Sequence, residues 1–262
     1  MVTVSTPYAL GTPCWVDLNT SDPDDARSFY AELFGWRIEK GPEEMGYYSR
    51  AQLADSDVAG INGMVITDHP PVWATHLAVD DLASSVDEAV RAGGTVIAPP
   101  VDVMDLGKMA ILQDPTKGAF GMWQSGTFFG ATRVNEPNTL VWNELMTRDY
   151  AAAKEFYAAV FGYTYDEIGD GGFEYSTVAV NGRTIGGLGV LPPDVPEQVP
   201  AHWRVYFAVD DADAAVDKAV QLGGTVLSPP QDMPYGRHAD LADRQGAMFA
   251  VIASAGSEPE SS

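Results

Sequence analysis

The sequence predicts an α+β fold assembled from four βαβββ modules, two in each half of the chain. Two observations carry this. The first is an internal repeat. Trp15, Phe29, Tyr30, Phe34 and Gly35 recur as Trp142, Phe156, Tyr157, Phe161 and Gly162, each 127 positions later. The second is that each half restarts its own strand–helix pattern midway. Ala78-Val79-Asp80-Asp81, Gly93-Gly94-Thr95-Val96 and Pro99-Pro100 return as Ala208-Val209-Asp210-Asp211, Gly223-Gly224-Thr225-Val226 and Pro229-Pro230, and Asp114 and Gly118-Ala119 return as Asp243 and Gly246-Ala247. A period held over the whole chain marks duplicated units. The halves are residues 1–126 and 138–254, joined by a linker at 127–137 and followed by a polar tail at 255–262.

The elements follow in order. Residues 13–19 alternate as a strand. Ser21-Asp22-Pro23 offers a capping side chain and then a proline where its missing N–H costs nothing. Ala26, Phe29, Tyr30, Leu33 and Phe34 recur at helical spacing, and Gly35 closes the helix. Strands are expected at 36–39, 46–53 and 58–66. The pattern restarts with a strand at 72–79. Asp80-Asp81 caps a helix carrying Leu82, Val86, Ala89 and Val90, stopped by Gly93-Gly94. Strands are expected near 95–98, 108–113 and 119–124. The second half repeats this, with helices at 150–160 and 212–222. Phe128-Phe129 in the connector are expected to pack on something, and 190–200 reads as a proline-rich connector between modules.

Composition excludes several functions. With 45% hydrophobic residues over 262 positions the chain buries ordinary cores, and no apolar run approaches the ~20 residues that span a bilayer. The formal charge is −22, from 15 Lys+Arg against 37 Asp+Glu. That field repels phosphate backbones and anionic membranes, so neither nucleic acid nor membrane is an expected partner. The acids sit at turns and helix starts and read as solvated surface. Cys14 is the single cysteine, which excludes an intramolecular disulfide and a Cys-rich zinc site. It reads as a small half-buried residue, not a nucleophile. No secretory signal is visible at the start, so a cytoplasmic location is expected, with export by another route left open.

The repeated Phe-Tyr…Phe-Gly helix, the Val-Asp-Asp…Gly-Gly helix, and Asp114-Pro115…Gly118-Ala119-Phe120 entering the last strand resemble the vicinal-oxygen-chelate (VOC) superfamily. That group includes glyoxalase I, bleomycin-resistance proteins and extradiol dioxygenases. More narrowly, the chain resembles the two-domain actinobacterial members of glyoxalase or hydroxylase type. The resemblance covers nearly the whole chain. It implies that modules pair their mixed sheets into two cups, without saying which modules pair. In metal-dependent members the ligands sit on the first strand, the restarted strand and the closing strand. Carried over by spacing, those positions are Trp15, Ala74 and Gly121 in one half and Trp142, Arg204 and Ala250 in the other. None of these side chains binds a divalent metal, so no metal cofactor is expected.

Alternate strand residues face opposite sides. Val16, Leu18, Thr75, Leu77 and Val79 suit the helix side, leaving Trp15, Asp17, Asn19, Ala74, His76 and Ala78 for the first cup, with Gly121 and Trp123 from its closing strand. Trp142, Glu144, Met146, Arg204, Tyr206 and Ala208 line the second cup. Asp17 with His76 is a candidate acid–base pair, or a polar pair simply satisfied in the cup wall. Glu144 with Arg204 is a candidate ion pair, with the Tyr206 hydroxyl at the same level. His69, His202 and His238 read as surface or loop-edge histidines. Met104 and Met233, in corresponding loops after the proline pairs, are candidate pocket-rim residues. Flat tryptophan walls with a few polar groups describe a pocket for a planar or hydrophobic organic molecule. Three readings stay open: a metal-free binding protein, monomeric or homodimeric, for such a ligand; a glyoxalase-like lyase or natural-product-modifying enzyme using Asp17/His76 or Glu144/Tyr206; and a structural protein with degenerate cups.

Overall fold

The computed structural model describes residues 2–67, 69–168 and 174–254; the polar tail lies outside the described residues. The first half holds β1 (Val2–Thr3), β2 (Pro13–Asn19), α1 (Pro23–Phe34), β3 (Arg37–Ile38), β4 (Ser49–Leu53), β5 (Ser56–Ile61), β6 (Val72–Val79), α2 (Leu82–Arg91), β7 (Thr95–Val103), β8 (Gly107–Gln113) and β9 (Ala119–Ser125). After β10 (Arg133–Val134) the second half holds β11 (Leu140–Thr147), α3 (Tyr150–Phe161), β12 (Thr164–Glu167), β13 (Tyr175–Val180), β14 (Arg183–Val190), β15 (His202–Ala208), α4 (Ala212–Gln221), β16 (Thr225–Met233), β17 (Gly236–Ala242) and β18 (Met248–Ser254). Among the described residues no helix is long and apolar enough to cross a membrane.

The modules pair within each half. One eight-stranded sheet runs β3-β4-β5-β2-β6-β9-β8-β7, and the other runs β12-β13-β14-β11-β15-β18-β17-β16. The junction of modules is antiparallel in both, β2 with β6 and β11 with β15. The flanking β2–β5 and β6–β9 pairs are parallel. A small antiparallel ribbon of β1 and β10, which the sequence reading did not anticipate, ties the N-terminal arm to the connector.

All four helices begin on an aspartate. The side chains of Asp22, Asp81, Asp149 and Asp211 each accept from the backbone N–H three residues on, at 2.8–3.0 Å. Each satisfies an orphan donor and places negative charge at a helix N-terminus. Part of the acid excess is therefore capping. The helices α1 and α3 stop at Gly35 and Gly162, whose φ of 70° and 69° belong to the left-handed region that glycine enters without strain.

The cores do not follow the halves. Phe29, Tyr30 and Phe34 of α1 pack with Phe207 of β15, Val216 of α4 and Phe249 of β18. Leu82 and Val86 of α2 pack with Phe156, Tyr157 and Phe161 of α3. The two sheets thus stack through their helix-bearing faces, and each core is assembled from both halves. At the centre of the stack Thr75 Oγ1 donates to Asn143 Oδ1 at 2.9 Å, both side chains being buried. Gly94 and Gly224 lie two residues past the caps of the shorter helices. They are crowded by backbone carbonyls, with Ala89 O and Ala242 O each 2.9 Å from a built Cβ, and by a phenylalanine of the opposite half. A Cβ would stand 3.1 Å from Phe156 at Gly94 and 3.1 Å from Phe29 at Gly224.

Two buried chains of hydrogen bonds stitch the halves together. Trp73 Nε1 donates to the Tyr30 hydroxyl at 3.0 Å, which donates to Asp243 Oδ2 at 3.0 Å. Trp203 Nε1 donates to the Tyr157 hydroxyl at 3.1 Å, which donates to Asp114 Oδ2 at 2.9 Å. Burial, followed by the neighbouring aspartate, holds both tyrosines well above their ordinary range, so they remain donors.

The expected strands at 36–39, 46–53 and 58–66 are shorter than predicted, and a short 3₁₀ turn at Glu43–Met45 precedes β4. The strands expected to stop at the proline pairs run on instead: β7 and β16 pass through Pro99-Pro100 and Pro229-Pro230. They are edge strands whose register shifts beside the prolines. A missing N–H is tolerated there.

Replacing Tyr30 with Phe leaves Asp243 Oδ2 and Trp73 Nε1 without their buried partner, and urea unfolding should report a loss of about 1–3 kcal/mol. A pH series adds a signature. Burial holds the Asp243 carboxyl above its ordinary value despite the N–H and O–H groups facing it. A raised folded pKa contributes stability at low pH that is lost as pH rises through that folded value. The stability of the natural protein relative to Asp243→Asn should therefore fall with rising pH across and above the usual carboxylate range. A flat difference contradicts the assignment.

Candidate functional site

Because the helix-bearing faces are buried against each other, the opposite faces of the two sheets point outward as two concave walls. The alternation that sends Val16 and Leu18 inward puts Trp15, Asp17 and Asn19 on the first wall.

In the first cup, Trp15 Nε1 donates to the Tyr48 hydroxyl at 2.7 Å, and that hydroxyl donates to Asp17 Oδ2 at 3.2 Å. Burial and then Asp17 hold the Tyr48 hydroxyl well above its usual pKa, so it serves as donor. His76 Nε2 lies 3.2 Å from Asp17 Oδ1. The distance suits a hydrogen bond, but the direction does not: neither ring nitrogen of His76 has an aligned partner, and the residue is only 4% exposed. The imidazole rests where a side chain at position 121 would stand, with Nδ1 2.1 Å from a Cβ built on Gly121. Gly60 in turn makes room for Tyr48, whose hydroxyl would lie 1.9 Å from a Cβ there. Asn19 Oδ1 accepts from Asn62 Nδ2 at 3.1 Å, beyond Asp17 on the same face.

Trp15 and Trp123 lie on this wall under a cover. The connector's Phe128 sits edge-on to both, at 4.9 Å and 5.9 Å between ring centroids, and its carbonyl accepts from Trp123 Nε1 at 2.9 Å. Both tryptophans are consequently buried. Cys14 beside them is also buried, and burial pushes its thiol up to about 12. It stays protonated and unreactive at neutral pH.

The second cup repeats the plan with different groups. Trp142 Nε1 donates to the Tyr175 hydroxyl at 3.1 Å, as Trp15 does to Tyr48. Glu144 replaces Asp17, and its two oxygens accept from Tyr206 at 2.7 Å and Tyr175 at 2.8 Å. Arg204 Nη1 stands 3.6 Å from Glu144, donates to the Tyr206 hydroxyl at 3.1 Å, and donates to Asp240 of β17 at 3.2 Å. Burial and then Glu144 push both tyrosines far up. Burial alone would lower the Arg204 pKa, but Tyr206, Glu144 and Asp240 outweigh it and raise it. In this network both tyrosines are held as neutral donors and Arg204 as a cation.

Several sequence expectations are corrected here. In register, His76 lies between Trp15 and Gly121, while Ala74 pairs with Asp17. Likewise Tyr206, not Arg204, stands between Trp142 and Ala250. His202 and His238 are strand residues, not loop-edge ones. His202 opens β15 opposite Met146, and burial lowers its pKa. His238 lies in β17 with its ring 6.4 Å from that of Tyr206. Met104 and Met233 fall on hairpin ends, 65% and 50% exposed. The register of β7 and β16, extended through their prolines, carries them outward. Among the described residues no group of three or more His, Cys, Asp or Glu side chains could hold a metal ion.

Tyr48, Tyr175, Asp240 and the cover by Phe128 escaped the sequence reading. A signal for the first two was present: Tyr48 and Gly60 recur as Tyr175 and Gly187 at the same spacing of 127 as the helix motif.

A Gly121→Ala substitution places its methyl in the His76 ring. The imidazole must leave its seat, and overpacking of this kind costs about 1–3 kcal/mol. The expected result is a lowered unfolding midpoint together with shifted His76 ring resonances by NMR. Unchanged resonances would contradict the seat.

Family comparison agrees with this architecture. A profile of the glyoxalase-like domain matches residues 15–121, and one of the glyoxalase/bleomycin resistance protein/dioxygenase superfamily matches residues 139–251. The chain is 44% identical over 252 residues to CFP32 of Mycobacterium tuberculosis, a protein named as a candidate glyoxylase, covering 94% of this chain and 95% of that one. It is 34% identical over 262 residues to the anthracycline biosynthesis protein DnrV of Streptomyces peucetius, covering 94% of each. Among solved structures, the Mn(II)-bound glyoxalase of Novosphingobium aromaticivorans superposes with a TM-score of 0.66 at 16% identity, over 94% of this chain and 82% of that one. The 2,2',3-trihydroxybiphenyl 1,2-dioxygenase of Sphingomonas wittichii gives 0.66 at 13% identity, over 94% and 91%. These two likenesses speak to fold alone. With two profiles matched in tandem and a 44% identical relative spanning nearly the full length, the chain belongs to the glyoxalase/bleomycin resistance protein/dioxygenase superfamily, whose fold its four modules form.

Proposed function

We propose that the protein binds a flat organic molecule bearing an acidic or carbonyl oxygen in its second cup, and does so without a metal ion. The observation that carries this is the state of Arg204. Its polar contacts among the described residues all use Nη1. The Nη2 and Nε edge of this largely buried, permanently charged guanidinium, 26% exposed, is left for a ligand. That edge is planar and suits a carboxylate, an enolate or a pair of adjacent oxygens. Half-buried Trp142 and Tyr175 flank it, and flat apolar surface beside a few fixed polar groups suits a small-molecule site. Glu144 is already held by two hydroxyls, so binding costs little reorganisation.

The names of relatives are compatible with this class. An anthracycline is a flat fused-ring molecule carrying ketone and phenol oxygens, and one relative at 34% identity is named for anthracycline biosynthesis. The donor inventory supports the metal-free reading, since neither cup gathers three metal-ligating side chains among the described residues. A lyase reading rests on a different observation, the 3.2 Å approach of Asp17 and His76. It requires turnover of a methylglyoxal–thiol adduct that vanishes in His76→Ala.

The binding reading is tested with 1,4-dihydroxyanthraquinone as probe, following tryptophan fluorescence. A hydrogen bond to a charged group contributes about 1.5–3 kcal/mol, so Arg204→Gln should weaken binding about tenfold to a hundredfold. Arg204→Lys should recover only part, having charge but no fork. Equal affinities in all three proteins would remove Arg204 from the site.

A further inference from the structure

We infer that His202 is the specificity-determining residue of the second cup: its Nε2 accepts from a free hydroxyl set about one ring away from the ligand oxygen that Arg204 holds. The molecule bound is then a hydroxylated quinone, ketone or acid. This rests on the proposed binding at Arg204 and narrows the class of ligand bound there.

The strand places the residue. Trp203 and Val205 of β15 enter the buried cores, so His202, Arg204 and Tyr206 share the cup face. His202 lies opposite Met146, and Arg204, the next residue along that face, lies opposite Glu144. Two residues along a strand span about 6.6 Å, comparable to a substituted aromatic ring. Arg204 on the same strand, Glu144 on β11 and Asp240 on β17 all lie close enough for their charges to act on the His202 ring.

The ring is prepared as an acceptor. Burial, ahead of every charge around it, lowers the His202 pKa, so the ring is neutral near pH 7. A neutral imidazole has one N–H and one lone pair. Nδ1 lies 2.9 Å from the Pro200 carbonyl, which can only accept. Nδ1 therefore carries the hydrogen and Nε2 the lone pair. Among the described residues nothing donates to Nε2. Arg204 supplies donors only, so the two residues together offer a donor fork and one acceptor. A bare quinone fills the fork alone, whereas a hydroxylated one fills both.

The loop that carries Pro200 is itself held. Arg148 Nη2 donates to the carbonyls of Pro196 at 2.8 Å, Val195 at 3.2 Å and Val199 at 3.4 Å. The internal repeat shows that these groups belong to this cup. His202, Trp203 and Arg204 stand where the first half has Val72, Trp73 and Ala74, and Arg148 stands where it has Ser21. The tryptophan is kept in both halves. The acceptor, its cationic neighbour and the clamp on the loop occur together in one half only.

Calorimetry with 2,6-dihydroxyanthraquinone and unsubstituted 9,10-anthraquinone as paired probes tests this. The natural protein should bind the dihydroxy probe about threefold to tenfold more tightly, the worth of one neutral hydrogen bond. His202→Phe keeps a flat ring without an acceptor and should abolish that preference. His202→Gln, whose amide oxygen can accept, should restore part of it. Arg204→Gln should weaken both probes and leave the preference in place. No preference in the natural protein, or one unchanged in His202→Phe, overturns the inference while Arg204-dependent binding stands. Binding of neither probe, or binding indifferent to Arg204→Gln, removes the site itself and the inference with it. Should His202→Phe fail to fold, nitrogen NMR of the natural protein decides. The His202 Nε2 resonance should move with the dihydroxy probe and stay with anthraquinone; equal behaviour with both overturns the inference as well.

Discussion

The tyrosine–aspartate bond that crosses between the halves, made twice, is the interaction on which the rest of the molecule depends. Tyr30 reaches Asp243, and Tyr157 reaches Asp114. Each aspartate also holds its own turn with Oδ1, which accepts from Thr116 N and Gly118 N in one case and from Gln245 N and Ala247 N in the other. A single carboxylate thus shapes the entry to a closing strand and locks it to the opposite helix. Once both locks are made, the helix-bearing faces are committed to each other. Only the opposite faces of the sheets remain to meet solvent, and there the polar groups of the two cups collect.

On those outer faces one plan has been varied. Each cup hangs a tyrosine from a tryptophan and gives its hydroxyl to an acid on the same strand as that tryptophan. In the first cup the acid is the largely buried Asp17, and its neighbour His76 keeps unused bonding capacity. The second cup uses Glu144, saturated by two hydroxyls and tied to Arg204. The first arrangement leaves hydrogen-bonding capacity unfilled. The second is electrostatically fixed and offers one directed cationic edge. Duplicated walls of one origin therefore present different chemistry.

Much of this was legible because it is local. The Phe-Tyr helix, its glycine stop and the alternation along residues 13–19 and 72–79 are dictated by neighbours a few positions away, and the elements appear where those neighbours place them. Register across strands is not local. Whether Ala74 or His76 stands beside Trp15 depends on the pairing of β2 with β6, and that pairing shifts between Pro13 and Trp15. The sequence therefore left open that His76 lies directly between Trp15 and Gly121, and Tyr206 between Trp142 and Ala250. The prolines misled for a related reason: they exclude a central strand but not an edge strand. Phe128 is expected from the sequence to pack on something, and Trp123 five residues away is half of its seat. Its contact with Trp15 spans more than a hundred residues and could not be read locally.

The central claim is that a cup lined by tryptophan, tyrosine and a pinned arginine recognises flat oxygen-bearing molecules without metal. Calorimetric titration of 1,4-dihydroxyanthraquinone into protein dialysed exhaustively against EDTA tests it most directly. Saturable binding with an affinity unchanged on adding back Mn(II), Ni(II) or Zn(II) is the predicted result. Binding that appears only when a metal is restored would contradict the account.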